Sequence, residues 1–155
     1  MLEECDIISL VIVMDIKTTK QRSANMKAVK SKDTKIEVLL RKALWHHGIR
    51  YRKNYKICNC KPDIVITKSK IAIFCDGDFW HGKDTEKMPQ NNARFWLNKI
   101  SRNKERDLEN TIALRDAGWT VLRFWESDIL ANLNGIIIQI INTHKKAINY
   151  YFTKS

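Results

Sequence analysis

The stretch DIVITKSKIAIFCD, Asp63 to Asp76, holds two β-rich apolar runs, Asp63-Ile-Val-Ile66 and Ile71-Ala-Ile-Phe-Cys75, separated by Thr67-Lys-Ser-Lys70. Branched aliphatic side chains suit a pleated surface and the polar linker suits a reversal, so the stretch predicts two adjacent antiparallel strands. In such a pair the start of one strand lies beside the end of the next. Asp63 opens the first run and Asp76 closes the second, which brings both carboxylates to the same sheet edge.

Past Asp76 the chain changes character, continuing Gly77-Asp-Phe-Trp-His-Gly-Lys-Asp84. Upstream, Lys61-Pro62 is a break that forces extended geometry on the preceding residue, and Tyr51 to Ile57 is a weak strand candidate. Thr34-Lys-Ile-Glu37 has the form of a capping box, followed by Ile36, Leu39, Leu40, Ala43 and Leu44 at helical spacing and by Gly48 as a stop. Downstream, a long helix is predicted from about Ala93 to Ala117, ended by Gly118. Trp96, Ile100, Asn103 and Asp107 share one face of it, and Leu97, Leu108, Ile112 and Leu114 offer apolar contacts elsewhere. Trp119 to Trp125 reads as a strand and Ile136 to Tyr150 as an amphipathic helix. The order helix, three strands, helix, strand, helix predicts an α/β domain with a mixed β-sheet flanked by helices.

A chain of 155 residues suits one domain with its own core. With 44% hydrophobic and 29% charged residues, 5 Gly and 2 Pro, it is neither disordered nor fibrous. Against 17 acidic residues stand 28 Lys and Arg, a net charge of +11. The excess points to a polyanionic partner, nucleic acid or anionic membrane, though charge alone equally fits a solvated lysine-rich surface. Basic residues crowd the segment that follows residue 16. Cys5, Cys58, Cys60 and Cys75 lack the C-x-x-C spacing of zinc ribbons and read as reduced structural thiols. The chain opens Met-Leu-Glu-Glu and its apolar run Ile7 to Met14 is too short to span a bilayer, so a cytoplasmic protein without a membrane partner is expected. Residues 1–16 read as an upstream extension or flexible tail, with Met14 a second candidate start. Residues 17–155 read as a single domain with a basic N-terminal arm.

Two carboxylates at one sheet edge suit Mg²⁺, which takes oxygen ligands and completes its shell with waters and substrate phosphate. His81, five residues past Asp76, is the side chain suited to take a proton from an attacking water at neutral pH. Glu37 near the first helix's start can orient that histidine or a metal-bound water if the helix packs on the hairpin. Each residue alone also has a bland reading: an Asp after Pro or before Gly is usually a turn residue, and a lone loop histidine is usually inert. Phe79, Trp80 and Trp96 fit either packing under a lid or stacking against bases. Trp119, Phe124 and Trp125, lying in a strand, read as packing.

These residues fall into separated motifs in a fixed order. They are Asn25-Met26, Asp33-Thr34-x-Ile36-Glu37, Pro62-Asp63, Phe74-x-Asp76-Gly77-x-Phe79-Trp80-His81-Gly82, Phe95-Trp96-x-x-Lys99-Ile100-x-x-Asn103-x-x-Arg106-Asp107 and Gly118-Trp119-x-Val121-x-x-x-Trp125-Glu126. Over roughly residues 17 to 130 the chain resembles the very short patch repair endonucleases of bacteria. The resemblance implies a restriction-endonuclease-like fold and Mg²⁺-dependent nicking of one DNA strand beside a T:G mismatch. It implies metal binding by Asp63 and the backbone carbonyl of Cys75, with Asp76 either a direct ligand or a supporting acid. It implies action of His81 on the water, supported by Glu37 and Asp107, and wedging of Phe79, Trp80 and Trp96 into the duplex. Arg22, Asn25, Met26, Lys99 and Asn103 are the further DNA-binding candidates within the matched region. Partners by family analogy are double-stranded DNA, a cytosine methyltransferase and mismatch-repair proteins.

Two departures stand out. The family's structural zinc site uses Cys and His in and after the Phe-Trp-His loop, where this chain has Asp78 and Gly82-Lys-Asp-Thr85, so no structural zinc is expected. The wider nuclease superfamily carries acid-x-Lys after its second acid, where this chain has Asp76-Gly77-Asp78. Rival functions are a restriction-type or less specific DNA endonuclease using the same site, and a basic DNA-binding protein without catalysis.

Overall fold

The computed structural model describes residues 32–83 and 92–153, all of which belong to one compact unit. The N-terminal extension, the basic arm and the candidates Arg22, Asn25 and Met26 lie outside the described residues. Among the described residues four helices and three strands follow in order: α1 (Lys35–His46), β1 (Ile64–Ile66), β2 (Ile71–Asp76), α2 (Ala93–Asp116), β3 (Thr120–Trp125), α3 (Glu126–Ala131) and α4 (Leu133–Phe152). Among the described residues no helix is long and apolar enough to cross a membrane.

The sheet order is β1-β2-β3. β1 and β2 form the antiparallel hairpin that the two apolar runs and their polar linker predict, with Ile64 opposite Ile73 and Ile66 opposite Ile71. The linker coils into one 3-10 turn, Thr67–Ser69. β3 pairs with β2 in parallel, Ile71 beside Thr120 through Asp76 beside Trp125. A parallel pair needs a long crossover, and α2 supplies it. The sheet is therefore mixed, as expected.

Side chains alternate between two cores. On one face Ile64, Ile66, Ile71, Ile73 and Phe124 pack against Leu40 and Leu44 of α1, Ile129 of α3 and Ile140 of α4. On the other, Val65, Ala72 and Phe74 meet Leu114 of α2, with Ile57 and Cys60. Helices α1 and α2 end alike. Gly48 at φ +77° and Gly118 at φ +78° adopt the left-handed conformation. There Gly48 N–H donates to Trp45 and Ile49 N–H to Leu44, and Gly118 and Trp119 repeat the pattern onto Arg115 and Leu114, which is the Schellman arrangement.

Four details depart from expectation. Tyr51 to Ile57 forms only isolated bridges, Arg52 with Val65 and Ile57 with Cys60; Asn54 and Cys58 take positive φ angles, which interrupt an extended run. The unexpected α3 makes the order helix, two strands, helix, strand, two helices; Glu126 and Asp128 in its first turn suit the helix dipole. The last helix starts at Leu133 rather than Ile136, capped by the Asn132 side chain accepting from Gly135 N–H. Finally, Leu97, Leu108 and Ile112 are exposed, and of that set Leu114 is buried, packed with Val65, Ala72 and Phe74 of the sheet.

Candidate active site

The capping box forms in a variant geometry. Thr34 Oγ1 accepts from Glu37 N–H and donates to Glu37 Oε1, while Glu37 Oε2 accepts from Asp33 N–H at 3.0 Å. Both Glu37 oxygens are thus engaged at the helix start, and the residue oriented against His81 is another one. Asp33 is held below the ordinary carboxylate range by the Arg41 guanidinium, and next by Lys53.

Asp63 lies one residue before β1, and its Oδ2 accepts the Cys75 N–H at 2.7 Å. Burial pushes its pKa up to about 6; repulsion from Glu37 and Asp76 adds to this against the opposing Cys75 hydrogen bond. A cation would relieve that accumulated negative charge. The donor set fits a hard divalent ion: carboxylate oxygen on Asp63 and a neighbouring backbone carbonyl on Cys75. Burial and the surrounding acids push the Cys75 thiol up, so it stays protonated and its sulfur is a poor ligand.

A linkage prediction follows. The folded value of about 6 lies above the unfolded 3.8, so between those pH values the folded state binds more protons and loses stability as pH rises. Without divalent ions, Asp63→Asn should match wild type near pH 4 and exceed it at pH 7 by up to about 3 kcal/mol. Urea unfolding at the two pH values measures this, and an equal difference at both would contradict it.

Asp76 ends β2 on the face that carries Ala72 and Phe74. It is 6% exposed, and its two oxygens each receive a 2.7 Å hydrogen bond from Arg123, one from Nε and one from Nη2. The parallel register sets Arg123 beside Phe74, with the guanidinium carbon 4.6 Å from that ring's centroid. Arg123 Nη2 also lies 3.1 Å from Asp107 Oδ1. Burial opposes the charge on Arg123, and Asp76 then Asp107 more than restore it.

His81 sits in the turn after β2. Its Nδ1 is 2.5 Å from Asp107 Oδ2, and its Nε2 is 3.8 Å from Asp76 Oδ1. A carboxylate only accepts, so Nδ1 carries the proton of that hydrogen bond, and Nε2 is the ring nitrogen left to exchange a proton. Burial works against the Asp107 charge, but the His81 hydrogen bond and Arg123 outweigh it and hold that carboxyl below its usual range. Ligand atoms of Asp76, His81 and Asp107 all lie within 4.8 Å of one another. The Arg123 guanidinium, bonded to both acids, offsets one of their two negative charges and so weakens the attraction for a cation there; Asp63 retains the less satisfied carboxylate.

The aromatic residues form one cluster. Ring centroids are 5.2 Å apart for Phe79 and Trp80, 5.4 Å for Phe79 and Trp96, and 6.0 Å for Trp80 and Trp96, all edge to face. Lys99 Nζ lies 4.9 Å from the Trp80 ring centroid, and Asn103 Nδ2 donates to the Trp80 carbonyl at 2.9 Å. The face of α2 read from sequence therefore carries the cluster, the loop anchor and the histidine's partner. Gly82, at φ +70°, passes so close to α2 that a Cβ would come within 2.7 Å of Ile100 Cγ2.

Three contributors were not among the sequence candidates. Arg123 had a signal, a lone charge within the apolar run Val121 to Trp125. Lys83 donates to Ser127 Oγ and Asp128 Oδ1, and Asp78 Oδ1 accepts from Ser127 N–H and Oγ–H. Asp78, expected at the place of a zinc ligand, thus fastens the loop to the start of α3. Phe95 meets Trp96 edge to face with ring centroids 5.3 Å apart and is 59% exposed.

A mixed sheet flanked by helices, with a histidine–carboxylate pair where the central strand ends, defines a restriction-endonuclease-like α/β domain. The catalytic domain of a homing endonuclease has the same fold, with a TM-score of 0.53 over 75% of this chain and 99% of that domain at 19% identity. The chain belongs to the DNA mismatch endonuclease Vsr family, whose signature matches residues 14–87, and it is a DNA endonuclease. It is 48% identical over 122 residues to the type II nicking enzyme V.NmeDIP of Neisseria meningitidis serogroup C, covering 77% of this chain and 82% of that enzyme. It is 44% identical to the type II nicking enzyme V.HpaIIP of Haemophilus parainfluenzae over 82% of this chain and 93% of that enzyme. With the DNA mismatch endonuclease Vsr of Escherichia coli K12 it shares 36% identity over 72% of this chain and 73% of that protein.

Proposed function

We propose that the chain is a Mg²⁺-dependent endonuclease that nicks one strand of duplex DNA beside a T:G mismatch. The observation that carries the reading is the turn after β2, which joins the Phe79–Trp80 pair to His81, itself hydrogen-bonded to Asp107. Base-stack contact and proton transfer are thus two residues apart at most.

His81 Nε2 takes a proton from water as the water oxygen forms its bond to phosphorus and the P–O bond to the leaving oxygen breaks. Asp107 balances the charge that then develops on the ring, and Asp76, secured by Arg123, stands on the Nε2 side. Asp63 and the Cys75 carbonyl would hold Mg²⁺. When bound it supplies polarisation of a phosphoryl oxygen and stabilisation of the leaving alkoxide. Phe79, Trp80 and Trp96 offer faces and edges that can replace base-stacking contacts at a weak base pair, with Lys99 beside them for phosphate.

The test incubates purified protein with a labelled T:G duplex and its T:A control, with and without Mg²⁺. One-strand cleavage confined to the T:G duplex with Mg²⁺ is expected. Equal cleavage of both duplexes overturns the mismatch reading in favour of a less specific endonuclease.

A further inference from the structure

Between Glu37 and Asp63 the sequence contains no acidic residue. Lys42, Arg50, Arg52, Lys53, Lys56 and Lys61 lie in that interval, and all are exposed. Among the described residues the ion pairs of this stretch are Arg41 and Lys53 with Asp33. Among the described residues Lys53 alone of these exposed cations pairs with a carboxylate, which leaves a positive field at this surface.

Two of them are held by aromatic rings that are themselves exposed. The Arg50 guanidinium carbon sits 3.7 Å over the centroid of Trp45, which is 54% exposed, and that of Arg52 lies 5.6 Å from the Tyr55 ring centroid. A guanidinium resting on a ring keeps its N–H edge free, and that planar fork matches a phosphate. The stack also restricts the side chain before any ligand arrives.

The backbone fixes where this surface lies. Arg52 N–H donates to the Val65 carbonyl at 2.8 Å, and Val65 N–H to the Arg52 carbonyl at 2.9 Å. The pairing is antiparallel and occupies the side of β1 away from β2. Continuing past Arg52, the segment heads toward the Asp63 end of β1, where Lys53 Nζ reaches Asp33 at 3.7 Å. Going back, it leads to Arg50 and Trp45. The patch thus starts beside the candidate active site and extends away along the sheet edge.

We propose that this edge is a second contact surface for duplex DNA, gripping the sugar-phosphate backbone that flanks the cleaved step, with Arg50 and Arg52 as phosphate ligands. It rests on the chain acting on DNA and is independent of mismatch preference, because phosphate contacts carry no base information.

The test measures binding without divalent ions to a T:G and a T:A duplex across a salt series. Each phosphate contact adds about 0.9 to the slope of log K against log salt, so Arg50→Gln/Arg52→Gln should be shallower than wild type by about 1.8 on both duplexes. The Arg50→Lys/Arg52→Lys pair should keep the wild-type slope. An unchanged slope in the glutamine pair overturns the proposal. So does an equal slope loss in the lysine pair accompanied by a lowered melting temperature, which would trace the loss to disturbed packing. Equal nicking of the two duplexes by wild type would defeat the mismatch reading and leave this comparison intact.

Discussion

Nicking of a T:G duplex by His81→Ala is expected to run about 10²- to 10⁴-fold slower than by wild type at neutral pH. The ring is hydrogen-bonded from one side: Nδ1 is committed to Asp107, which leaves Nε2 to accept the proton of water in the proposed reaction. Alanine removes that acceptor without touching the hydrophobic cores, so the melting temperature should hold while the single-turnover rate falls. Asp107→Asn should also slow nicking, since an amide can present a donor to Nδ1 and move the ring proton to Nε2. Wild-type rates in His81→Ala would remove the histidine from the chemistry.

Arg123→Met is expected to cost about 3–5 kcal/mol of stability, because it strands the buried Asp76 carboxylate without its counter-charge. Asp76 is 6% exposed and both its oxygens depend on that guanidinium. Removing the acid as well, in Arg123→Met/Asp76→Asn, should return much of the loss, since the penalty lies in an unpaired charge rather than in a missing attraction. Urea unfolding of wild type, both single variants and the double variant measures the coupling. Additive losses would mean that the pair acts as two separate surface groups.

The legible parts of the molecule were those whose causes are local. The hairpin followed from two β-rich apolar runs and a polar linker, and the caps of α1 and α2 from Thr34, Gly48 and Gly118. The α2 face followed from helical spacing, so Asn103 and Asp107 came with the right side of the helix even though their partners, the Trp80 carbonyl and His81, are 23 and 26 residues away. The Arg123 bond to Asp76 spans 47 residues and exists only because β3 joins β2 in parallel; no window along the chain contains both. Asp78 and Ser127 are separated by 49 residues, and the same reason hid the fastening of the loop to α3. Leu97, Leu108 and Ile112 misled in the opposite direction. Their spacing suits a helix face, but periodicity does not say whether a neighbour arrives to cover it.

Helix α2 runs 24 residues, Ala93–Asp116, with neither glycine nor proline inside it, so it has no built-in hinge. Trp96 near its start and Asp107 further along are rigidly spaced by about 16 Å of helix. The rod carries the Trp96 ring near one end and, further along, the carboxylate that accepts the hydrogen bond of His81 Nδ1. In the proposed mode of DNA contact, a rigid-body tilt imposed on Trp96 would carry Asp107 with it, and the alignment of His81 would then follow what the aromatic cluster meets.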